Sequence, residues 1–326
     1  MAKALTFNHR TLPTYAGLWV LVAIYTIGVF LYPGFSSLRV FLNLFTDNAF
    51  VGVVAITMTF VILSGGIDLS IGSVIAFTGV FAAKLLQDGY DPGLIIGLTL
   101  GLGAVFGFVQ GFCIHVFEMP PFLVTLTGMF LARGGAFWLS LTSIPIKSEL
   151  FDKLVDFQLE VWPKSYLSTT SLIFIAIAAL GMFLAHFTPI GRWIYAIGGD
   201  ESSARMMGIP VGRVKIFVYT LNSAVCALAG LVFSLYTLSG YPLATVGLEL
   251  DVIAAVVIGG TLLSGGVGYI EGTVIGVLIL GLIQTLINFQ GTLSSWWTKI
   301  AVGALLFIFI MLQAYLTKSS LKRSQA

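Results

Sequence analysis

From residue 14 to residue 315 the chain is a succession of apolar runs broken by short polar stretches, most of them close to the ~20 residues that a helix needs to cross a bilayer. In lipid the backbone has no water to bond, so each run must close its own hydrogen bonds, as an α-helix does. Composition agrees: 58% of residues are hydrophobic and 9% charged, against about 25% charged in soluble domains. The expected fold is all-α, a polytopic transmembrane helical bundle forming a single domain over 1–326.

The expected spans are 14–31, 44–63, 71–86, 93–116, 122–141, 169–187, 216–238, 248–263, 269–289 and 295–315, about ten in all. Eight or nine stay open, because the fifth carries Arg133 and others are interrupted by glycine. The first run continues past Tyr25 without a small-residue cleavage site, so it reads as a span and not a signal peptide. The fourth is rich in glycine (Gly97, Gly101, Gly103, Gly107, Gly111), which lets neighbouring helices approach closely. The longest loop, 142–168, carries mixed, nearly balanced charge. Lys and Arg collect on one side: Lys3, Arg10, Arg192, Arg205, Arg213, Lys215, Lys318, Lys322 and Arg323. The other side has Arg39, Lys147, Lys153 and Lys164 among most of the loop acids, so both termini are expected in the cytoplasm.

One polar island stands out, 192–215, with Asp200, Glu201, Arg205, Arg213 and Lys215 between two apolar runs. Asp200 suits an N-cap, Glu201 to Met207 suit a short surface helix, Gly208 suits its stop, and Pro210 resists continuation. It reads either as an ordinary cytoplasmic loop or as the place where a soluble partner pushes on the membrane part.

An internal repeat is sharper than hydropathy. Residues 63–75, LSGGIDLSIGSVI, align without a gap on 263–275, LSGGVGYIEGTVI, with identity at seven of thirteen positions. Each block ends one apolar run and opens another, which suggests a duplicated fold with halves at about 14–141 and 169–315. Interrupted helices at matching positions of two halves often line a pathway, because the break frees backbone groups.

Asp68 lies in the first break. It could accept hydrogen bonds from sugar hydroxyls, cap the next helix or pair with a cation; its counterpart is Gly268, which argues against a symmetric role. Gln110, Asn222, Gln284 and Asn288 could line a polar route or bond across helices. Arg133 is expected to find a structural partner. Glu249, Asp251 and Glu271 begin helices, where the dipole favours acids. Trp19, Trp296 and Trp297 resemble interfacial anchors, and Cys113 and Cys226 read as packing residues. The three histidines have no metal-ligand spacing, the net charge of +2 implies no nucleic-acid surface, and no GxxxxGK[ST] loop or catalytic constellation is present. A chain like this is not expected to be an enzyme; if ATP drives it, another chain must hold the nucleotide.

The stretches LSGGIDLSIGSVIAFTG at 63–79, YAIGGDESSARMMGI at 195–209 and VVIGGTLLSGGVG at 256–268 resemble the permeases of ribose-type ABC sugar importers (the branched-chain amino acid/ribose permease family), over essentially the whole chain. Residues 287–303, INFQGTLSSWWTKIAVG, are similar to the galactofuranose importers of Gram-negative bacteria. The resemblance implies that Gly198, Gly199, Asp200, Glu201, Ala204, Arg205, Met206, Gly208 and Ile209 form the coupling helix that docks on an ATPase. The family usually has Asn where Asp200 stands, and Asp caps as well. It also implies that Ser64, Gly65, Gly66, Asp68, Ser70, Ser264, Gly265 and Gly266 belong to broken segments around a translocation path. The implied partners are an ABC ATPase subunit, a second related permease as heterodimer, a periplasmic sugar-binding protein and the lipid bilayer, with no cofactor on this chain and ATP and magnesium on the ATPase. The expected mechanism is alternating access in the bacterial inner membrane. The alternative, an ion-coupled secondary sugar transporter, would need a coupling carboxylate, for which Asp68 is the candidate.

Overall fold

The structure is a computed structural model that describes the backbone of residues 12–294 and 296–324, and the side chains of 16–294 and 296–313. Lys3 and Arg10, the side chains of Lys318, Lys322 and Arg323, and Ser295, the expected start of the last span, lie outside the described residues.

The first apolar run forms α1, Leu12–Leu31. The second is not one straight helix. It divides into α2, Leu38–Asp47, and α3, Ala49–Leu63, bent by 61°. Asn48 stands at the bend, its side chain donating to the Leu44 carbonyl at 2.9 Å. Nearly every residue of α3 is buried, as fits a helix that is apolar all round. Then come α4, Ile71–Gln87, α5, Pro92–Val116, and α6, Pro121–Leu139. Asp91 caps α5 by accepting from Leu94 N, with Pro92 at the first turn.

The region 142–168 is more ordered than its loop-like composition suggests. It holds β1, Ile144–Pro145, the amphipathic helix α7, Glu149–Asp156, and an antiparallel hairpin of β2, Gln158–Trp162, and β3, Ser165–Ser168. Phe151 is fully buried beneath α7 and anchors it. Next follow α8, Thr169–Phe187, α9, Pro189–Gly199, α10, Glu201–Met206, and α11, Val211–Thr237. Strand β4, Ser239–Gly240, pairs antiparallel with β1. The chain then runs through α12, Leu248–Ile258, α13, Ile270–Gln290, and α14, Trp296–Ser324.

Among the described residues six helices are long and apolar enough to cross a membrane: α5, α6, α8, α11, α13 and the first part of α14; the bent α2–α3 pair makes a seventh. Helix α4 and the apolar part of α1 are shorter. The expected eighth span, 248–263, is realised only as α12, whose 11 residues reach about 16 Å. Gly259 and Gly260 end it, and 261–269 is not helical. Hydropathy alone reads through that break, and so about ten spans exceeds the number of full-length helices.

Helix α3 is the centre, packed by α8, α11, α12 and α13. Helix α11 lies along α5, and three of the six α5 glycines explain how closely. Gly103, Gly107 and Gly111 recur every four residues on one face, against Ser223, Ala227 and Ile216 of α11. Gly97 and Gly101 face open space.

Arg133 finds the structural partner that its position demands. Its guanidinium donates to the carbonyls of Pro242 (2.6 Å) and Ala244 (2.9 Å), pinning the turn that leads into α12. Hydrogen bonds from a charged donor contribute about 1.5–3 kcal/mol each. Arg133→Ala is therefore expected to lower the melting temperature of the purified protein and to expose 241–247 to protease, with Arg133→Lys intermediate. Unchanged cleavage of that turn in Arg133→Ala would show that the guanidinium does not hold it.

Candidate functional site

The two glycine breaks and the polar island meet at one place. Helix α3 stops at Gly65, which has a φ of 81°, with Gly66 N donating to Val61 O at 2.9 Å. The second break makes a tight turn through Gly265 and Gly266, whose φ angles of 84° and 74° suit glycine. Gly266 N donates to the Leu63 carbonyl at 3.0 Å, so the two breaks are hydrogen-bonded to each other. The end of α9 lies on top of that bond. A Cβ at Gly198 would overlap the Leu63 oxygen outright and come within 2.5 Å of Gly266 N. Tyr195, one turn earlier, donates its hydroxyl to the Gly268 carbonyl at 2.8 Å.

Helix α10 is built as its sequence suggests. The Asp200 carboxylate accepts from Ser203 N at 2.6 Å, and that N–H holds the carboxyl below the usual carboxylate range. Gly208, at φ 80°, closes the other end, with Gly208 N bonding Arg205 O and Ile209 N bonding Ala204 O. Ala204 is fully buried beneath the helix, while Met206 and Met207 are 82% and 68% exposed. Glu201 ties α10 to the base of α11: it accepts from Lys215 Nζ at 2.6 Å and from Arg205 at 3.1 Å. The Lys215 ammonium, bonded to Glu201, holds its carboxyl below the usual range. A cavity of about 260 Å³ lies between these parts, reached by Ser64, Gly65 and Gly66, by Gly199, Asp200 and Glu201, and by Ser264.

Four of the path candidates join in one buried ring of hydrogen bonds. Asp68 is fully buried; its Oδ1 accepts from Ser70 N (2.8 Å) and Ser70 Oγ (2.6 Å), and its Oδ2 accepts from Asn222 Nδ2 (2.8 Å). Asn222 Oδ1 accepts from Thr57 Oγ1 at 2.8 Å. Gln110 donates to Ser70 Oγ at 3.1 Å and accepts from Ser223 Oγ at 3.4 Å. The ring leaves α11 at Asn222 and returns at Ser223, joining α3, the first break, α5 and α11. Of the two readings open for Gln110 and Asn222, this geometry is that of bonds across helices. Gln284 is elsewhere, exposed in a cavity at the far ends of α3 and α13.

A model of the family described as branched-chain amino acid transport system / permease component matches residues 40–310. The chain belongs to this family. The permease is 53% identical over 309 residues to the inner membrane ABC transporter permease protein YjfF of Escherichia coli (strain K12), covering 94% of this chain and 93% of that one. It is 38% identical over 312 residues to the ribose import permease protein RbsC of Bacillus subtilis (strain 168), covering 93% and 92%. It is 34% identical over 317 residues to the fructose import permease protein FruG of Bifidobacterium longum (strain NCC 2705), covering 95% and 93%. No solved structure matches it at a significant level. The permease is a multi-pass protein of the inner membrane.

Sequence reasoning passed over Tyr195 and Tyr219, which fasten the polar island and α11 to a break through the carbonyls of Gly268 and Ile67. Tyr219 is fully buried, and a Cβ on Gly66 would strike its hydroxyl. A signal for α11 was available. Lys215, Tyr219, Asn222 and Cys226 follow at spacings of four, three and four, which put them on one helix face.

Proposed function

We propose that the permease is the membrane-spanning subunit of an ATP-driven importer that carries a monosaccharide from periplasm to cytoplasm by alternating access. The observation that carries this reading is the seat of the α9–α10 corner on both glycine breaks at once, through Gly198 and Tyr195. A push on that corner has no slack before it reaches either break. Residues 198–209 are then the coupling helix, and exposed Met206 and Met207 with Arg205 are the surface offered to an ATPase. The ATPase supplies ATP and magnesium chemistry, and no covalent step falls on this chain. A shift between two states requires a partner that contacts them differently, and this corner gives it a handle.

Sugar is the proposed cargo because relatives at 34–38% identity carry the names of ribose and fructose import permeases. Galactofuranose is the proposed sugar, from the likeness of residues 287–303. The proposal includes both termini in the cytoplasm, a duplicated core with the breaks at 64–70 and 264–268 flanking the path, a second related permease as partner, and a periplasmic sugar-binding protein. The collection of Arg192, Arg205, Arg213 and Lys215 at one end supports that orientation. The ion-coupled alternative rests on Asp68, whose two oxygens are both engaged in a fully buried ring, and it is not carried further.

The test is sugar-dependent ATPase activity and uptake in liposomes holding the permease, its ATPase and the second permease, with binding protein added outside. Arg205→Glu combined with Met206→Glu is expected to abolish stimulation and uptake while the permease still purifies folded. Uptake that survives this change would remove the coupling role from α10.

A further inference from the structure

At the end of α3 remote from the glycine breaks is a second, larger cavity of about 500 Å³. The 15 residues of α3 put about 22 Å between the two ends. The volume falls within the ~300–1,000 Å³ of small-molecule sites. Six helices (α2, α3, α11, α12, α13 and α14) supply its wall, and what they supply is polar for a membrane domain. Gln284 and Asn288 stand one turn apart on α13, exposed to the cavity, and among the described residues their amides bond to nothing in the chain. In an apolar helix, polar groups left unpaired need water or a solute. Thr298 of α14 adds an independent sign: it is nine-tenths buried in the same wall, and its hydroxyl has no partner among the described residues.

The charges say which solute. Lys299 is spent on Asp251, with which it makes an ion pair. Asp47 remains, held only by the Tyr236 hydroxyl at 3.3 Å. Among the described residues lining the cavity no positive charge is left over to attract an anion. Amides, a hydroxyl and a free carboxylate edge suit a neutral molecule rich in hydroxyl groups, and Trp296 offers an aromatic face for its C–H side.

We propose that this cavity is a holding site for one uncharged monosaccharide, entered from the side opposite the α9–α10 corner, with Gln284, Asn288 and Thr298 as its hydrogen-bonding wall. The proposal rests on the sugar-import reading and adds to it where the sugar pauses. It also gives Gln284, a path candidate outside the buried ring, a place on the route.

The test uses the complete importer in proteoliposomes with D-galactose, D-ribose and D-fructose as probes. With Cys113→Ser and Cys226→Ala removing the native thiols, Gln284→Cys is labelled by a small thiol reagent from the binding-protein side. A transported sugar is expected to slow labelling in proportion to its concentration. Gln284→Ala and Asn288→Ala are each expected to raise the apparent KM for uptake about tenfold, the factor that corresponds to one lost hydrogen bond. Parental uptake of a probe, with labelling indifferent to it and KM unchanged in both variants, overturns the holding site alone. A lipid headgroup or the partner permease filling the cavity would give that result. A parental complex that imports none of the three overturns the sugar reading and this proposal with it.

Discussion

Gly198→Ala is expected to abolish ATP-driven uptake, while Gly199→Ala, one residue away, leaves it near the parental rate. At Gly199 a new methyl meets nothing within 4 Å. At Gly198 it would land on the Leu63 carbonyl oxygen and within 2.5 Å of Gly266 N, the two atoms that bond the breaks together at 3.0 Å. Both are backbone atoms, so no rotamer change relieves the clash. Overpacking typically costs about 1–3 kcal/mol, and parting the Leu63–Gly266 bond adds about 1 kcal/mol. The cheaper response is for α9 to lift away, which loosens the seat of the corner on both breaks. Uptake and ATP hydrolysis should therefore come apart, and the melting temperature should fall by several degrees. Gly198→Ala protein that melts and transports like the parent would mean that the corner does not need its seat, and the coupling argument would go with it.

What could be read ahead from the sequence was local chemistry. Asp200 and Gly208 mark the ends of α10 because cap and stop depend on neighbours three to five residues away. The glycine breaks show for the same reason. Contacts over long separations did not show. Asn222 and Asp68 are 154 residues apart, and nothing in either neighbourhood names the other. The same holds for Tyr195 and Gly268, 73 apart. Two errors have identifiable causes. The span expected at 248–263 came from an apolar average that ignores what Gly259 and Gly260 do to a helix. The hairpin of β2 and β3 was hidden because its residues are mostly exposed, so no buried face imprints an alternating pattern.

Asn222→Leu is expected to destabilise the permease more than Asp68→Asn, and the two changes together should cost less than their sum. Asp68 is a buried carboxylate with no ion-pair partner among the described residues; hydrogen bonds alone hold it. Removing the Asn222 amide strands Oδ2 and also takes one partner from Thr57 Oγ1, which keeps its bond to Val54 O. Leaving a buried charge uncompensated costs about 3–5 kcal/mol. Asp68→Asn removes the charge and keeps the shape. Its new amide would face the amide of Asn222, and relieving that needs Asn222 to turn round and Thr57 Oγ1 to accept where it now donates, its hydrogen passing to Val54 O, so a cost of about 1 kcal/mol is expected. In the double variant no charge is stranded, and a coupling of about 1–3 kcal/mol should appear in a double-mutant cycle. Unfolding in mixed micelles of increasing SDS, followed by circular dichroism, gives the four free energies. Strict additivity would show that Asp68 does not depend on Asn222. Coupling would have a mechanical meaning. Lys215, bonded to Glu201 at the corner, and Asn222, bonded to Asp68 in the first break, lie seven residues apart on one face of α11. A rigid helix fixed at both points carries a displacement of the corner into the break, and weakening the Asn222 end should lower uptake without touching the docking surface.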